Sequence, residues 1–442
     1  MGHENVSTAR DNSVNEDNSQ NIRLRKAITL RHAVALYVSS VLGSGVLVLP
    51  GLAAKIAGPS SLIAWVFLSL ASYPFAYTFA SLSARMPESG GVYAFAKESF
   101  GLHAATVVSW LFALWYIAGL PAVTLIAASY LAYAFPMGRG DLFIVAAAVI
   151  VLTFVVNYNG IRFSNRVQLG VVTAIVVMLV AAVVSSAGSV KLSNFGPLFP
   201  NGYLPIGTAA ALIFWSFLGY ENVSNVAEEF KNPERDFRRS VAISVVLIGV
   251  LYVSVAIVTV GTRAYAAGGS VAPFAEIFSR LLGKYGAVGT AILAFFIIFG
   301  ASNAYTAGLT RVIYASARDG GFPRTLEHIN LKTNVPDRSL AMLSSLAMVI
   351  LGVFYVFNAD LQTALLIPSG AAIIVYIIGL SSGIRLLEST GWRSSLPWIA
   401  LAISVLALPF VGPLIVPAAI VCVAGVGYSY RSRKHQVITK EK

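Results

Sequence analysis

The chain has 442 residues, of which 57% are hydrophobic and only 11% charged. Soluble proteins carry about 25% charged residues, so this composition, with a mean hydropathy of +0.75, excludes an ordinary soluble enzyme or binding domain. The net charge of +12 suggests nucleic acid, but the positions of the basic residues place them at a membrane surface, and no nucleic-acid partner is expected.

Residues 1–27 are rich in Asn, Ser, Asp and Glu, with too little apolar surface to order themselves. They are expected to form a disordered cytoplasmic tail, and they lack the apolar core of a signal peptide. Twelve apolar segments follow, at 30–57, 59–84, 104–135, 141–157, 167–188, 206–228, 240–261, 285–316, 339–357, 361–384, 396–411 and 413–430. About 20 residues cross a bilayer. The expected fold is therefore an all-α polytopic membrane protein with one domain over 28–430 and a second tail at 431–442. Cys422 is the single cysteine and lies in an apolar run, so neither a disulfide framework nor a metal-ligand cluster is expected.

The first segment is interrupted by Gly43-Ser44-Gly45. An unpaired backbone group in hydrocarbon costs several kcal/mol, so unwound chain persists only where it lines a cavity. Glycines let a ligand approach the backbone, the Ser44 hydroxyl adds a donor, and the chain from Val46 would point free N–H groups at an anion. The alternative is that three small residues merely let helices pack closely.

After the second segment, Pro87 to Phe100 is expected to lie as a short helix on the cytoplasmic face. The sixth segment carries the second interruption, Ser216-Phe217-Leu218-Gly219, five helices after the first. Paired breaks in corresponding halves are the best sequence pointer to a transporter site. Phe214 to Phe217 can offer carbonyls to an ammonium, and Trp215 suits a pocket wall or gate. Glu221, deep in an apolar span, is either a proton-coupling carboxylate or a strut between helices. Glu228 and Glu229 face a basic loop and are assigned to pairing or solvation.

In the outer loop before the eighth segment, Pro273 to Leu282 has apolar residues at helical spacing and is expected to cap the outer face. Within the eighth segment, Ser302 and Asn303 either coordinate a cation or, as favoured, hydrogen-bond across helices. The segment is expected to end at Gly320-Gly321-Phe322-Pro323. With the N-terminus inside, 25 of the 31 lysines and arginines fall on the cytoplasmic side, which sets the orientation with both termini in the cytoplasm. The five histidines are scattered near ends and loops, without the spacing of a metal or catalytic centre, so no enzyme is expected.

At these motifs the chain resembles the amino acid–polyamine–organocation family of transporters. Gly43-Ser44-Gly45-Val46 matches the family's first-helix motif, and the run Phe214 to Glu221 resembles the sixth-helix motif of the arginine/agmatine antiporter and its relatives. Pro87-Glu88-Ser89-Gly90-Gly91-Val92-Tyr93 and the turn Arg318-Asp319-Gly320 also match, so the resemblance spans about residues 27–430. The stretch Glu228 to Phe237 and the run Leu49 to Ala54 look closest to bacterial methionine and branched-chain amino acid exporters.

The resemblance implies two inverted repeats of five helices, about 30–188 and 206–384, with helices eleven and twelve appended. It implies that Gly43, Ser44 and Gly45 meet a substrate carboxylate. It further implies that Trp215, Ser216 and Phe217, beside Gly219, line the amino group and side chain, with Glu88 and Tyr93 at the cytoplasmic gate. Many sodium-independent members carry a lysine midway along the fifth helix, whereas 167–188 holds neither Lys nor Arg, which leaves a coupling proton, a sodium ion or neither. The expectation is a plasma (inner) membrane amino-acid transporter, monomer or homodimer, without cofactor, for neutral apolar substrates. The alternative is a cationic amino acid or polyamine carrier in which Glu221 reads the positive group.

Overall fold

The computed structural model describes residues 29–86, 91–160, 165–221, 233–266, 268–388 and 391–440, with side chains except at 165–169, 233–238 and 433–440. The expected N-terminal tail, Glu88, Glu228, Glu229 and residues 222–228 of the sixth segment lie outside these residues.

The first segment forms two helices, α1 (Leu30–Val41) and α2 (Gly45–Ala57). The unwound residues are Leu42 to Ser44, and Gly45 already belongs to α2. Helix α3 (Ser61–Arg85) follows, then the short α4 (Gly91–Phe100), the helix foreseen in that loop. Helix α5 (Leu102–Ala134) is the most deeply buried long helix, α6 (Arg139–Tyr158) starts at Gly138, whose N–H donates to Asp141, and α7 (Asn165–Ser186) completes the first half.

The second half opens with α8 (Leu204–Ile213), which tightens into a 3₁₀ turn over Phe214–Phe217. The α-helix gives way two residues before the expected break, and within that break the chain changes direction at Leu218 (ψ 146°) and Gly219 (φ +124°). Gly219 sets this location, because a Cβ there would lie 2.3 Å from the Ser40 carbonyl oxygen in a backbone region that side chains rarely adopt.

Helix α9 (Pro233–Gly261) precedes α10 (Pro273–Arg318). The latter is interrupted at Gly283, φ +59°, so Pro273 to Leu282 is the foreseen capping helix joined to a long span. That span ends at Arg318, with Asp319 as its C-cap, directly before the expected break at Gly320-Gly321-Phe322-Pro323. Then come α11 (Asp337–Val356) and α12 (Leu361–Leu386), the latter N-capped by the Asp360 carboxylate accepting from the Thr363 N–H at 2.9 Å. Last are α13 (Leu396–Ala407) and α14 (Val416–Lys440). The charged end of the chain was expected to be irregular, yet α14 continues through it; Lys, Arg and Gln are good helix formers, and Ser432 anchors it by donating to the Gly320 carbonyl at 3.0 Å.

Among the described residues no strand forms, and nine helical stretches are long and apolar enough to cross a membrane. Two of these, Gly45–Arg85 and Gly391–Ser432, each cover two helices, and Leu204–Phe217 is a shorter apolar helix. Packing is reciprocal between the halves. Helix α3 packs on α9, α5 on α10 and α6 on α11. The crossed pairs recur as well, α5 on α12 beside α10 on α7, and α3 on α8 beside α1 on α9. Exchanging segments five apart maps each contact onto another, as two structural repeats require, and an odd number of crossings makes them inverted. Outward faces are apolar, with Val151, Val155, Val177, Val184, Val246 and Val250 exposed. Lipid, not water, is the solvent such a surface requires.

Candidate functional site

The two breaks meet across one side chain. Tyr252, fully buried on α9, points its hydroxyl at the Val41 carbonyl (3.0 Å) and the Ser216 carbonyl (3.1 Å). Its ring stacks edge-on against Trp65 and Phe217, with centroids 5.4 and 5.3 Å away. The last carbonyl of α1 and a carbonyl of the 3₁₀ turn are thereby held together at the centre of the bundle. Helix α2 begins immediately beyond, and the first N–H groups of any helix lack intrahelical partners, so α2 turns a partial positive end toward this point.

In front of the breaks lies a cavity of about 700 Å³, within the range of small-molecule sites. Gly43, Ser44, Gly45, Trp215, Ser216, Glu221, Tyr93 and Ser302 line it. Val46, Phe214, Phe217, Gly219 and Asn303 do not. Val46 is buried behind the wall. Phe214 packs against Phe75 and Tyr376 (both 5.5 Å), and Phe217 against Trp65 and Tyr252. These two phenylalanines set the shape of the turn, and contact with a ligand falls to their neighbours.

Trp215 sits where two glycines make room. A Cβ on Gly45 would lie 2.8 Å from its Cδ1, and one on Gly119 of α5 would lie 3.0 Å from its far edge. Trp115 meets Trp215 edge-on at 6.1 Å and Tyr305 at 5.9 Å. With Phe112, Val171 and Ile175 these rings make most of the wall apolar. Three buried polar atoms on the wall have no partner among the described residues: Ser216 Oγ, Ser302 Oγ and Trp115 Nε1. Unpaired buried polar groups are rare and need an explanation, and a polar ligand would supply one.

Glu221 is buried. Its Oε2 accepts from the Gly219 N–H at 2.8 Å and from the Tyr376 hydroxyl at 2.5 Å, which is the geometry of the strut reading. Asn303 is engaged across helices: its Oδ1 accepts from Asn157 Nδ2 at 2.8 Å, and its own Nδ2 donates to Phe299. Only Ser302 of that pair faces the cavity. The fifth-helix residues on the wall are Val171, Val172 and Ile175.

The cavity reaches toward the face that carries Gly91, Tyr93 and Arg311. There the Asp319 carboxylate accepts from the Tyr93 hydroxyl and the Lys97 ammonium, each at 2.7 Å. Partial burial pushes the Asp319 carboxyl up, but the Lys97 and Tyr93 hydrogen bonds outweigh it, so its pKa falls below the usual carboxylate value. Burial and the bond to Asp319 push the Tyr93 phenol up. The opposite face is closed: Tyr130 donates to the Leu47 carbonyl at 2.6 Å, Gly51 abuts the Ser270 backbone, and Phe274 is buried between them. On that side Tyr133 and Arg280 both bond to Glu276, tying the capping helix to α5.

Tyr252, Tyr376, Gly119, Trp115 and Tyr305 were not legible as site residues. Each lies in an uninterrupted apolar run, and nothing local separates such a residue from ordinary core.

Comparison with known proteins agrees with this architecture. The amino acid permease family model matches residues 28–429. An uncharacterised amino acid permease of Bacillus subtilis, YecA, is 32% identical over 93% of this chain and 96% of its own length. The L-methionine/branched-chain amino acid exporter YjeH of Escherichia coli is 29% identical over 83% of this chain and 87% of its own. A cationic amino acid transporter of Arabidopsis thaliana is 30% identical over 71% of this chain and 55% of its own. A broken-helix membrane bundle matched along nearly its whole length leaves one assignment: the chain belongs to the amino acid permease family, within the amino acid–polyamine–organocation transporters, and is a multi-pass membrane transporter of amino acids, not an enzyme.

Proposed function

We propose that this protein moves neutral, apolar amino acids across the plasma membrane by alternating access, the carboxylate held at Gly43–Gly45 and the ammonium near Trp215 and Ser216. The observation that carries the reading is the wall of the cavity: two broken helices meet there, the side-chain compartment is aromatic and aliphatic, and Glu221 is already engaged. A buried arginine or lysine side chain would need a free carboxylate. In proteoliposomes, labelled leucine, methionine and alanine should be taken up or exchanged while labelled arginine is not; arginine uptake without neutral uptake would overturn the substrate assignment. Ser44→Trp should abolish leucine binding and leave the bundle folded.

The second reading, a cationic amino acid or polyamine carrier, is favoured by Glu221 on the wall and by the Arabidopsis relative. Binding measured across pH 5–8 with leucine, arginine and agmatine separates the two. Repeating leucine exchange with and without sodium, and with an imposed proton gradient, assigns the coupling. The charge bias supports an orientation with both termini, and the face with Tyr93 and Lys97, in the cytoplasm.

A further inference from the structure

The cavity wall holds two formally charged side chains among the described residues, Glu221 and Arg311. Glu221 is occupied by Tyr376 and the Gly219 N–H. Arg311 is exposed, and among the described residues it has no ion pair. On the same face Asp319 is engaged by Lys97 and Tyr93, and Glu388 by Arg85. Arg311 shares α10 with Ser302, Tyr305 and Val312, all on the wall. Ser302 and Arg311 are separated by roughly 13 Å and about two and a half turns of helix, so they stand at different depths of the cavity and on opposite edges of the α10 wall.

We propose that Arg311 forms a second substrate station in the mouth of the cavity, a guanidinium that holds the carboxylate of an incoming or departing amino acid before it reaches, or after it leaves, the breaks. This inference rests on the amino-acid reading above and adds a site to it. A guanidinium presents paired donors matching the two carboxylate oxygens. Tyr305, Leu309 and Val312, on the wall of the same cavity, give the substrate side chain an apolar surface. The station reads the carboxylate alone, so it serves any amino acid and ignores the corresponding amine.

Equilibrium dialysis of labelled leucine against the full chain in nanodiscs tests this. The wild type should bind two leucines per chain, one tighter than the other. Arg311→Gln should weaken the lower-affinity site about tenfold or more while the tighter site changes less than about twofold; Arg311→Lys should keep both, the weaker one reduced. Isopentylamine, leucine without its carboxylate, should not displace the second leucine, whereas propionate should. One leucine per chain in the wild type, two of unchanged affinity in Arg311→Gln, or equal loss of both sites in Arg311→Gln and Arg311→Lys would each overturn the station. No leucine bound by the wild type at all would instead overturn the amino-acid assignment on which it rests.

Discussion

Gly45 and Trp215 are in contact distance of each other across the two breaks: a methyl group in place of the Gly45 hydrogen would lie 2.8 Å from the Trp215 indole. The indole on the cavity wall can occupy its position only because residue 45 has no side chain. Gly43, two residues away, has no such neighbour, since a Cβ there would meet only the Val41 carbonyl oxygen at 3.9 Å.

Gly45→Ala should therefore displace Trp215 and lower leucine affinity by about tenfold or more, overpacking of this kind costing about 1–3 kcal/mol. Gly43→Ala should fold normally and bind within a few-fold of wild type. Thermal shift with and without leucine reads both effects, and equal behaviour of the two variants would refute the wedge.

Tyr252→Phe keeps the ring against Trp65 and Phe217 but removes the hydroxyl shared by the Val41 and Ser216 carbonyls. Leaving a buried acceptor unpaired costs about 1–3 kcal/mol. The expected result is a lower melting temperature together with a several-fold weaker leucine affinity. Stability lost without any change in affinity would show that Tyr252 supports the bundle but does not position the site.

Gly219→Ala places a Cβ 2.3 Å from the Ser40 carbonyl oxygen at φ +124°. The Cβ is fixed to the 219 backbone and the oxygen belongs to the α1 backbone, so neither is the free end of a side chain that could swing away. This variant should not yield monodisperse protein in detergent, as judged by size-exclusion chromatography.

Glu221→Gln retains an acceptor for the Gly219 N–H and the Tyr376 hydroxyl. As a strut, residue 221 needs hydrogen bonding and not a titrating proton, so leucine exchange by Glu221→Gln should keep the pH profile of the wild type. A profile that becomes flat between pH 5 and 8 would assign Glu221 to proton coupling.

Asp319 gives a pH dependence whose sign can be worked out. Its carboxyl titrates below the ordinary value, because the Lys97 and Tyr93 hydrogen bonds outweigh its burial. The contribution is thus present above the unfolded carboxylate pKa and is lost only as pH falls through the lower folded value. Across neutral pH the clasp on α4 should be constant. Asp319→Asn should loosen it wherever the wild-type carboxyl is ionised, neutral pH included, and hydrogen exchange in Gly91–Phe100 should rise there up to about fivefold, the equivalent of roughly 1 kcal/mol for a partly exposed pair.

The residues that break a pattern were the legible ones. Gly43-Ser44-Gly45 and the Trp215–Glu221 stretch stand out because hydrocarbon tolerates no unpaired backbone, so any interruption of a long apolar run carries information. The same rule placed α4 and the Pro273–Leu282 helix, whose amphipathic spacing differs from the spans around them. It did not single out Gly219 from the rest of the Ser216–Gly219 break, a choice that depends on how closely the Ser40 carbonyl approaches from a helix about 180 residues earlier.

Composition and apolar periodicity by themselves determined that the chain is a helical membrane protein with two interrupted helices, because lipid imposes one solution on the backbone. Only the tertiary structure decided which side chains face the cavity. Trp115, Tyr305 and Arg311 on the wall, and Tyr252 and Tyr376 behind it, come from four different helices, and an apolar run looks the same on its lipid side as on its inward side until the packing of neighbouring helices separates them.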